Sequence, residues 1–473
     1  VTTTARAREL VEMLDAEKRP GARLDLARRY AYTGDHDLPY MPRRVGREFR
    51  ALAESSREHR IPAVLQTLSA PLRVVGFRTS GTSENAAPWA NWQANGLDAR
   101  QDGVHFDALA AGVSYVRVVP SGNRGDVAAI TPCGFDSVLA LYASADAEWP
   151  IEAIHHVGRG TDSNGVTRNI YDVWTPSHRQ RFEEADRSTN TDGLAASEPV
   201  PHGLGVVPFV RFVERFGAPC QGLASTLKPQ ADRLNRALLS LEVVQQYASF
   251  RQRWATGLAI PVDEETGEPL EPFEAAVSRL WVSDSTDAKF GDFAQSDPSG
   301  VLANIADART AMAVLAGVQP GLVEGLDVAG AKAGAAATSS SLMDRRIRSL
   351  SASFGEAWEQ VLRLAAKVTG DSRAASDNAS RVTWETVEAE SVQATVTALA
   401  TAVGALGLPP EATWPALVAT IPGATADDLE TWRALAAERD GTVRLASDYV
   451  RGGTTAAEPS EPADGAAVLS EAA

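Results

Sequence analysis

The sequence predicts an α+β chain in which a mixed, mainly antiparallel domain is followed by long amphipathic helices. Three observations carry that expectation. Between Leu72 and Phe212 short apolar runs alternate with turn clusters, as in paired strands. From Leu223 onward the large apolar residues fall at helical spacing instead. From Gly317 to Gly370 a loop of Gly, Ala and small polar residues feeds one long amphipathic helix.

Taken in order, residues 1–60 read as helical, with Gly34 closing one helix and Val45, Phe49 and Leu52 marking the buried side of another. Val113–Pro120, Val138–Ala143 and Ile151–Val157 read as strands, with hairpin turns at Pro120-Ser121-Gly122-Asn123 and Thr161-Asp162-Ser163-Asn164-Gly165. Helices over Trp89–Ala99 and Phe106–Ala111 interrupt them. A stripe at Leu227, Ala231, Leu234, Leu238, Leu241, Val244 and Ala248 marks a second long helix that ends near Gly257. β-like pieces at Leu258–Val262 and Leu280–Val282 follow, then a third stripe at Val301, Ile305, Ala308, Met312 and Leu315. In the last long helix Met343, Ile347, Leu350, Phe354, Trp358, Val361, Ala365 and Val368 share one face. Thr338 and the Ser339-Ser340-Ser341 run offer N-cap oxygens, and Gly370 can close the far end. At about 1.5 Å per residue the helix is about 45 Å long and needs other helices to cover it, in this chain or in copies of it. Val382, Trp384 and Val387 alternate as a returning strand. Helices fill 391–451, one opened by a Thr425–Asp428 capping pattern, and the Ala, Glu and Pro of 452–473 have the composition of disorder.

Composition narrows the function. The chain has 473 residues, 44% of them hydrophobic, which suits a folded chain of several domains. Cys133 and Cys220 have no Cys or His at ligand spacing, so a disulfide scaffold and a Cys-rich zinc site are excluded and a reducing cytosol fits. Val1–Arg8 lacks the apolar core of a secretory signal. The uncharged run Ser391–Pro410 keeps helical spacing at Val392, Val396, Leu399, Val403 and Leu406, which favours an amphipathic helix over a membrane span. A net charge of −16, from 61 acids against 45 bases, disfavours tight phosphate binding but not loose passage of a duplex. Residues 257–297 hold ten acids, among them Asp263, Glu264, Glu265, Glu268, Glu271 and Glu274, and two bases, Arg279 and Lys289. Half of the net charge therefore lies there; a solvated acidic loop would explain it, and so would a docking surface.

Catalytic and cofactor patterns are missing. There is no GxSxG, HExxH or CxxC, and Gly325–Lys332 departs from a phosphate loop at Ala331. His155 and His156 are neighbours on a strand and point to opposite faces, so they cannot share a metal. Asp162–Gly165 begins like a calcium loop but lacks the required Glu, and a β-turn accounts for it. The sequence gives no reason to expect an enzyme, a cofactor or a metal.

The order of these elements resembles the portal proteins of tailed bacteriophages, in the siphophage family common among actinobacterial phages. The likeness runs from about Tyr30 to Leu406. Its marks are YTGDH at Tyr32–His36, WQANGLDARQDGVHFDALAAGVSYVRV at Trp92–Val118, VVPFVRF at Val206–Phe212, QRWATG at Gln252–Gly257, LWVSDSTDAKFGDF at Leu280–Phe293 and SLSASFGEAWEQVLRLA at Ser349–Ala365. The resemblance implies an N-terminal region and α/β wing (1–222), a first stem helix (223–256), an acidic clip (257–297) and a second stem helix (298–316). A tunnel loop (317–337), a long tunnel helix (338–370), a strand returning to the wing (371–390), a helical crown (391–451) and a tail (452–473) complete it.

It further implies a dodecameric ring at one capsid vertex, with major capsid protein and scaffold around it. Double-stranded DNA passes through the ring; the large terminase subunit and later a head-tail connector dock on it; no membrane is involved. On that reading Gly317, Glu324, Asp327 and Lys332 belong to the DNA-facing loop, and the six clip acids named above form the docking collar. Leu234, Leu238, Leu241, Ile347, Leu350, Phe354 and Trp358 are then expected to pack the helices of the ring, since head-to-tail contacts close by symmetry. Two alternatives stay open. A minor head or adaptor protein would share the helices without needing the Gly/Ala loop, and a capsid-associated hydrolase would draw on dispersed residues.

Overall fold

The computed structural model describes residues 2–39, 46–79, 87–122, 127–161, 165, 167–185, 193–217, 221–249, 253–256, 289–292, 297–321, 333–385 and parts of 396–438. Two compact units divide the chain: one holds Val1–Phe77 and Ala87–Trp384, the other Arg78–Ala86 and Glu385–Ala473. In the second unit the described residues are Arg78, Thr79, Glu385, short helical pieces between 396 and 438 and a 3-10 turn at Pro410–Thr413.

The first unit opens with α1 (Thr4–Glu17), capped by the Thr3 side chain, and α2 (Arg23–Ala27), which runs on as a π-helical turn to Thr33 and stops at Gly34 with φ 70°. Then come α3 (Arg47–Ser55), α4 (Ile61–Ser69), β1 (Val74–Arg78), α5 (Trp89–Ala94) and α6 (Leu97–Ala111). In α3 only Ala53 is buried and Phe49 is exposed, so the apolar side expected there is not a core side; Val45 lies outside the described residues. The predicted helices over Trp89–Ala99 and Phe106–Ala111 are also redrawn. Gly96, at φ 60°, breaks the first after Ala94, and the second starts nine residues early, at Leu97.

Strands β2 (Ser114–Pro120), β3 (Ala128–Cys133) and β10 (Phe209–Phe212) form an antiparallel sheet ordered β10–β2–β3. A second antiparallel sheet runs β4 (Val138–Leu141), β5 (Glu152–Thr161), β6 (Thr167–Trp174), β7 (His178–Ala185) and β8 (Leu194–Ala196), with β9 (Val200–Pro201) also on β7. Both predicted hairpin turns join paired strands, β2 to β3 and β5 to β6. Val113, Tyr115, Cys133, Ala153, Trp174 and Phe209 pack between the sheets. Burial pushes the Cys133 thiol up to about 12, which makes it an inert core residue.

Helix α7 (Leu223–Ser249) holds its whole stripe but ends before the expected limit near Gly257, because Arg253–Thr256 is a strand, β11, paired antiparallel with β12 (Lys289–Asp292). Helix α8 (Ser299–Ala316) follows, then α9 (Ala333–Thr369), the short α10 (Ser372–Ala375) and β13 (Arg381–Trp384), which pairs with β1. Helix α9 begins at Ala333, so Thr338 and Ser339–Ser341 lie inside it and not at the expected N-terminus. The alanines at 333 and 335–337, the best helix formers, extend it backward. Its far end closes at Gly370 with φ 84°, as expected. The β-like pieces expected at 258–262 and 280–282, Val387 and the tail lie outside the described residues.

Helix side chains finish several strand edges. Asn91 Oδ1 accepts from Ala128 N (2.9 Å), Asn95 Oδ1 accepts from Ile130 N (3.1 Å), and Asn95 Nδ2 donates to the Ala128 carbonyl (2.8 Å). Gln101 accepts from Val74 N (2.7 Å) and donates to the Val74 carbonyl (3.3 Å). Glu359 accepts from Val382 N (3.1 Å).

Candidate functional site: paired helices around an acidic insert

Helices α7 and α8 pack side by side and bracket the insert. Arg233 of α7 donates to Asn304 (2.6 Å) and pairs with Asp307 (2.6 Å) of α8, while Leu223 and Thr226 share a cavity wall with Leu315. Those contacts place the N-terminal turns of α7 against the C-terminal end of α8, so the two run antiparallel. At their other end the β11–β12 ladder, Arg253 opposite Asp292 and Thr256 opposite Lys289, closes the base of the acidic segment.

A polar network fixes this pair to the N-terminal region. Tyr30 Oη donates to Asp232 (2.7 Å), Lys228 Nζ donates to Asp37 (2.6 Å) and to Asp232 (2.6 Å), and Asn235 Nδ2 meets His36 Nδ1 at 2.8 Å. Glu58 accepts from Arg309 Nη2 (2.9 Å), and its backbone N donates to Asn235 (2.9 Å). Lys228 and then Arg29 hold Asp37 down at about 2, whereas burial and then Asp232 push the Tyr30 hydroxyl up to about 12. Burial, helped by His59, holds His36 at about 4, so its ring is neutral near pH 7. Tyr30, His36 and Asp37, in and beside the YTGDH segment, therefore tether α7, and Glu58 reaches both α7 and α8. The segment's charges could have suggested exposure, and only the partners on distant helices reveal the tether.

Of the expected loop residues, Gly317 is the C-cap of α8 at φ 70°, and a Cβ built there would lie 3.4 Å from Arg346 Cδ. Arg346 in turn pairs with Glu214 at 3.0 Å. Glu324, Asp327 and Lys332 lie outside the described residues, as do Asp263, Glu264, Glu265, Glu268, Glu271 and Glu274.

The expected ring-packing residues separate into two sets. Leu234, Leu350, Phe354 and Trp358 are fully buried inside a single chain, so the cover their stripes require is this chain's own sheets and helices rather than a second copy. Phe354 stacks on His105 (5.1 Å between centroids) and Trp358 meets Phe212 edge-on (4.7 Å). Leu238, Leu241 and Ile347 are half-buried. Larger apolar exposure appears off the stripes at Leu302 (50%) and Val314 (68%) on α8 and Leu342 (56%) on α9, and at Leu315 (47%), the last position of the α8 stripe.

Among the described residues no three His, Cys, Asp or Glu side chains gather to hold a metal, and no helix is long and apolar enough to cross a membrane. His155 and His156 part as strand neighbours do: His155 meets the Phe209 ring and His156 the Tyr171 ring.

Portal proteins of Mycobacterium phage L5 and Mycobacterium phage D29 are each 24% identical to the chain, over 312 and 307 residues. The match takes in 62% of this chain, which spans only 61% of the length of these relatives. A chain from the neck of a native GTA particle computed with C12 symmetry covers 81% of this chain and 96% of itself at 12% identity, with a TM-score of 0.46, too low for shape to carry weight. The family model for phage portal proteins of the SPP1 Gp6-like type matches residues 75–438, well over half of the sequence, and the chain belongs to that family.

Proposed function

We propose that copies of this chain form the ring at the capsid vertex through which double-stranded DNA is packaged and ejected. The family match over residues 75–438 carries the reading. The uncovered side chains of Leu302, Val314, Leu315 and Leu342 support it, since burying each fully would contribute about 1.5–3 kcal/mol on association. On this reading the antiparallel α7–α8 pair is the stem, and the insert it brackets is the clip where terminase and then the connector dock. Repeated around a ring, the acids from Asp263 to Glu274 become a strongly negative collar. The segment from Gly317 to Lys332 would face the channel, with Lys332 as its one base.

Class averages of the purified protein by electron microscopy test the reading. Closed rings with an open axial channel are expected. Folded protein that sediments only as a monomer at micromolar concentration in near-physiological salt would overturn it.

A further inference from the structure

Away from these helices, the turn between α1 and α2 faces the junction of the two larger sheets across a cavity of about 540 Å³, within the size range of small-ligand pockets. Its wall includes Glu17, Arg23, Tyr115, Ala140, Tyr142 and Arg211. Tyr115 and Ala140 belong to the core between the sheets, so one side is apolar.

Arg211, on β10, is only 9% exposed. Its guanidinium sits 4.2 Å from the Tyr142 ring centre and 5.2 Å from that of Phe216, and Nη2 donates to the carbonyls of Ala145 (2.7 Å) and Ala147 (3.0 Å). Its Nε has no acceptor, and no carboxylate pairs with it among the described residues. Arg23, across the cavity, is already committed to Glu17 (3.1 Å) and to the Ala111 carbonyl (2.6 Å). Carbonyl dipoles and ring faces only partly offset the burial of a full charge. A buried lysine can lose its proton; an arginine has no such retreat. A cation kept beside an open cavity without an anion suits a ligand that brings one. An inorganic anion would leave the tyrosine and alanine wall unused, whereas a carboxylate on an apolar stem uses both sides.

We propose that this cavity binds a short acidic peptide segment of a partner protein, with a carboxylate against Arg211 and an adjoining apolar side chain over Tyr115 and Ala140. The proposal does not depend on ring formation. Saturation-transfer NMR and titration on the full chain test it, with the tetrapeptide N-acetyl-Leu-Glu-Asp-Leu-amide and its Gln/Asn isostere as probes. The acidic peptide should bind at least about tenfold more tightly than the isostere. Inorganic phosphate at equal concentration should not displace it. Arg211→Gln should abolish transfer, as should Ala140→Leu, which fills the cavity while keeping both arginines. Ala22→Leu on the facing wall is the second filling variant should the strand reject leucine, and thermal unfolding checks each. No transfer to the acidic peptide, equal binding of the two peptides, displacement by phosphate, or unchanged transfer in folded filling variants would each overturn the assignment.

Discussion

Trp358 and His105 test how the long helix is held. Trp358 Nε1 donates to His105 Nε2 at 2.8 Å, and both residues are wholly buried. Trp358→Phe keeps the ring packing but removes the donor, so His105 is left with a buried, unanswered nitrogen. That costs about 1–3 kcal/mol. The smaller ring also leaves a void of roughly 40 Å³, worth about 1 kcal/mol more, for a total near 2–4 kcal/mol. Adding His105→Leu removes the stranded nitrogen, and the double variant should lose at least about 1 kcal/mol less than the two single losses combined. The pair has a pH signature as well. Burial holds the His105 ring at about 3 against an ordinary 6.5. The unfolded chain therefore binds the proton first, so the contribution is complete above about pH 6.5 and is lost as pH falls toward 3, at about 1.4 kcal/mol per pH unit. Urea unfolding followed by far-UV circular dichroism, at fixed protein concentration and at pH 7, 6, 5 and 4, measures both effects. Strictly additive losses, with the same acid slope in His105→Leu as in the natural sequence, would refute the reasoning.

Other perturbations separate backbone from surface. A Cβ at Gly222 would fall on the Ala110 carbonyl, so Gly222→Ala should abolish soluble folded protein, while Gly96→Ala, at φ 60° with open space around it, should cost only about 1 kcal/mol in thermal unfolding. Reversing Glu264, Glu265, Glu268 and Glu271 to Lys should leave assembly intact and slow the docking of terminase or connector, most at low salt. Packaging at the natural rate would remove the insert from that role. Lys332→Ala should likewise spare assembly and alter only packaging efficiency or DNA retention; a defect in sedimentation would mean that the residue serves the fold.

The sequence reveals an element's apolar side more readily than what covers it. The α9 stripe holds at Leu350, Phe354, Trp358, Val361 and Ala365, yet its period could not distinguish a second copy from this chain's own strands. The reverse holds on α8, where Val314 and Leu302 lie off the stripe and appear only as exposure. Helix ends failed where local preference competed with distant pairing, as at Arg253–Thr256, or where alanines outran a cap, as at Thr338. The insert was legible as charge alone. The tether from Asp37 to Lys228 joins residues too far apart in the chain for spacing to connect them.

The asparagine, glutamine and glutamate contacts along β1, β3 and β13 constrain how the molecule can associate. An open strand edge is a template for any other strand, including the same one in a second copy, and small sheets are the most vulnerable. Here amides and a carboxylate borrowed from helices occupy places where an intruding backbone would bind. Copies of this chain are thus steered away from being stitched together through these strands, and the contact between them is left to helix surfaces and loops. The protection also arrives late. Until α5 docks, the amides of Ala128 and Ile130 are unclaimed, so the newly made chain is most prone to mispairing in the interval between forming its strands and seating that short helix.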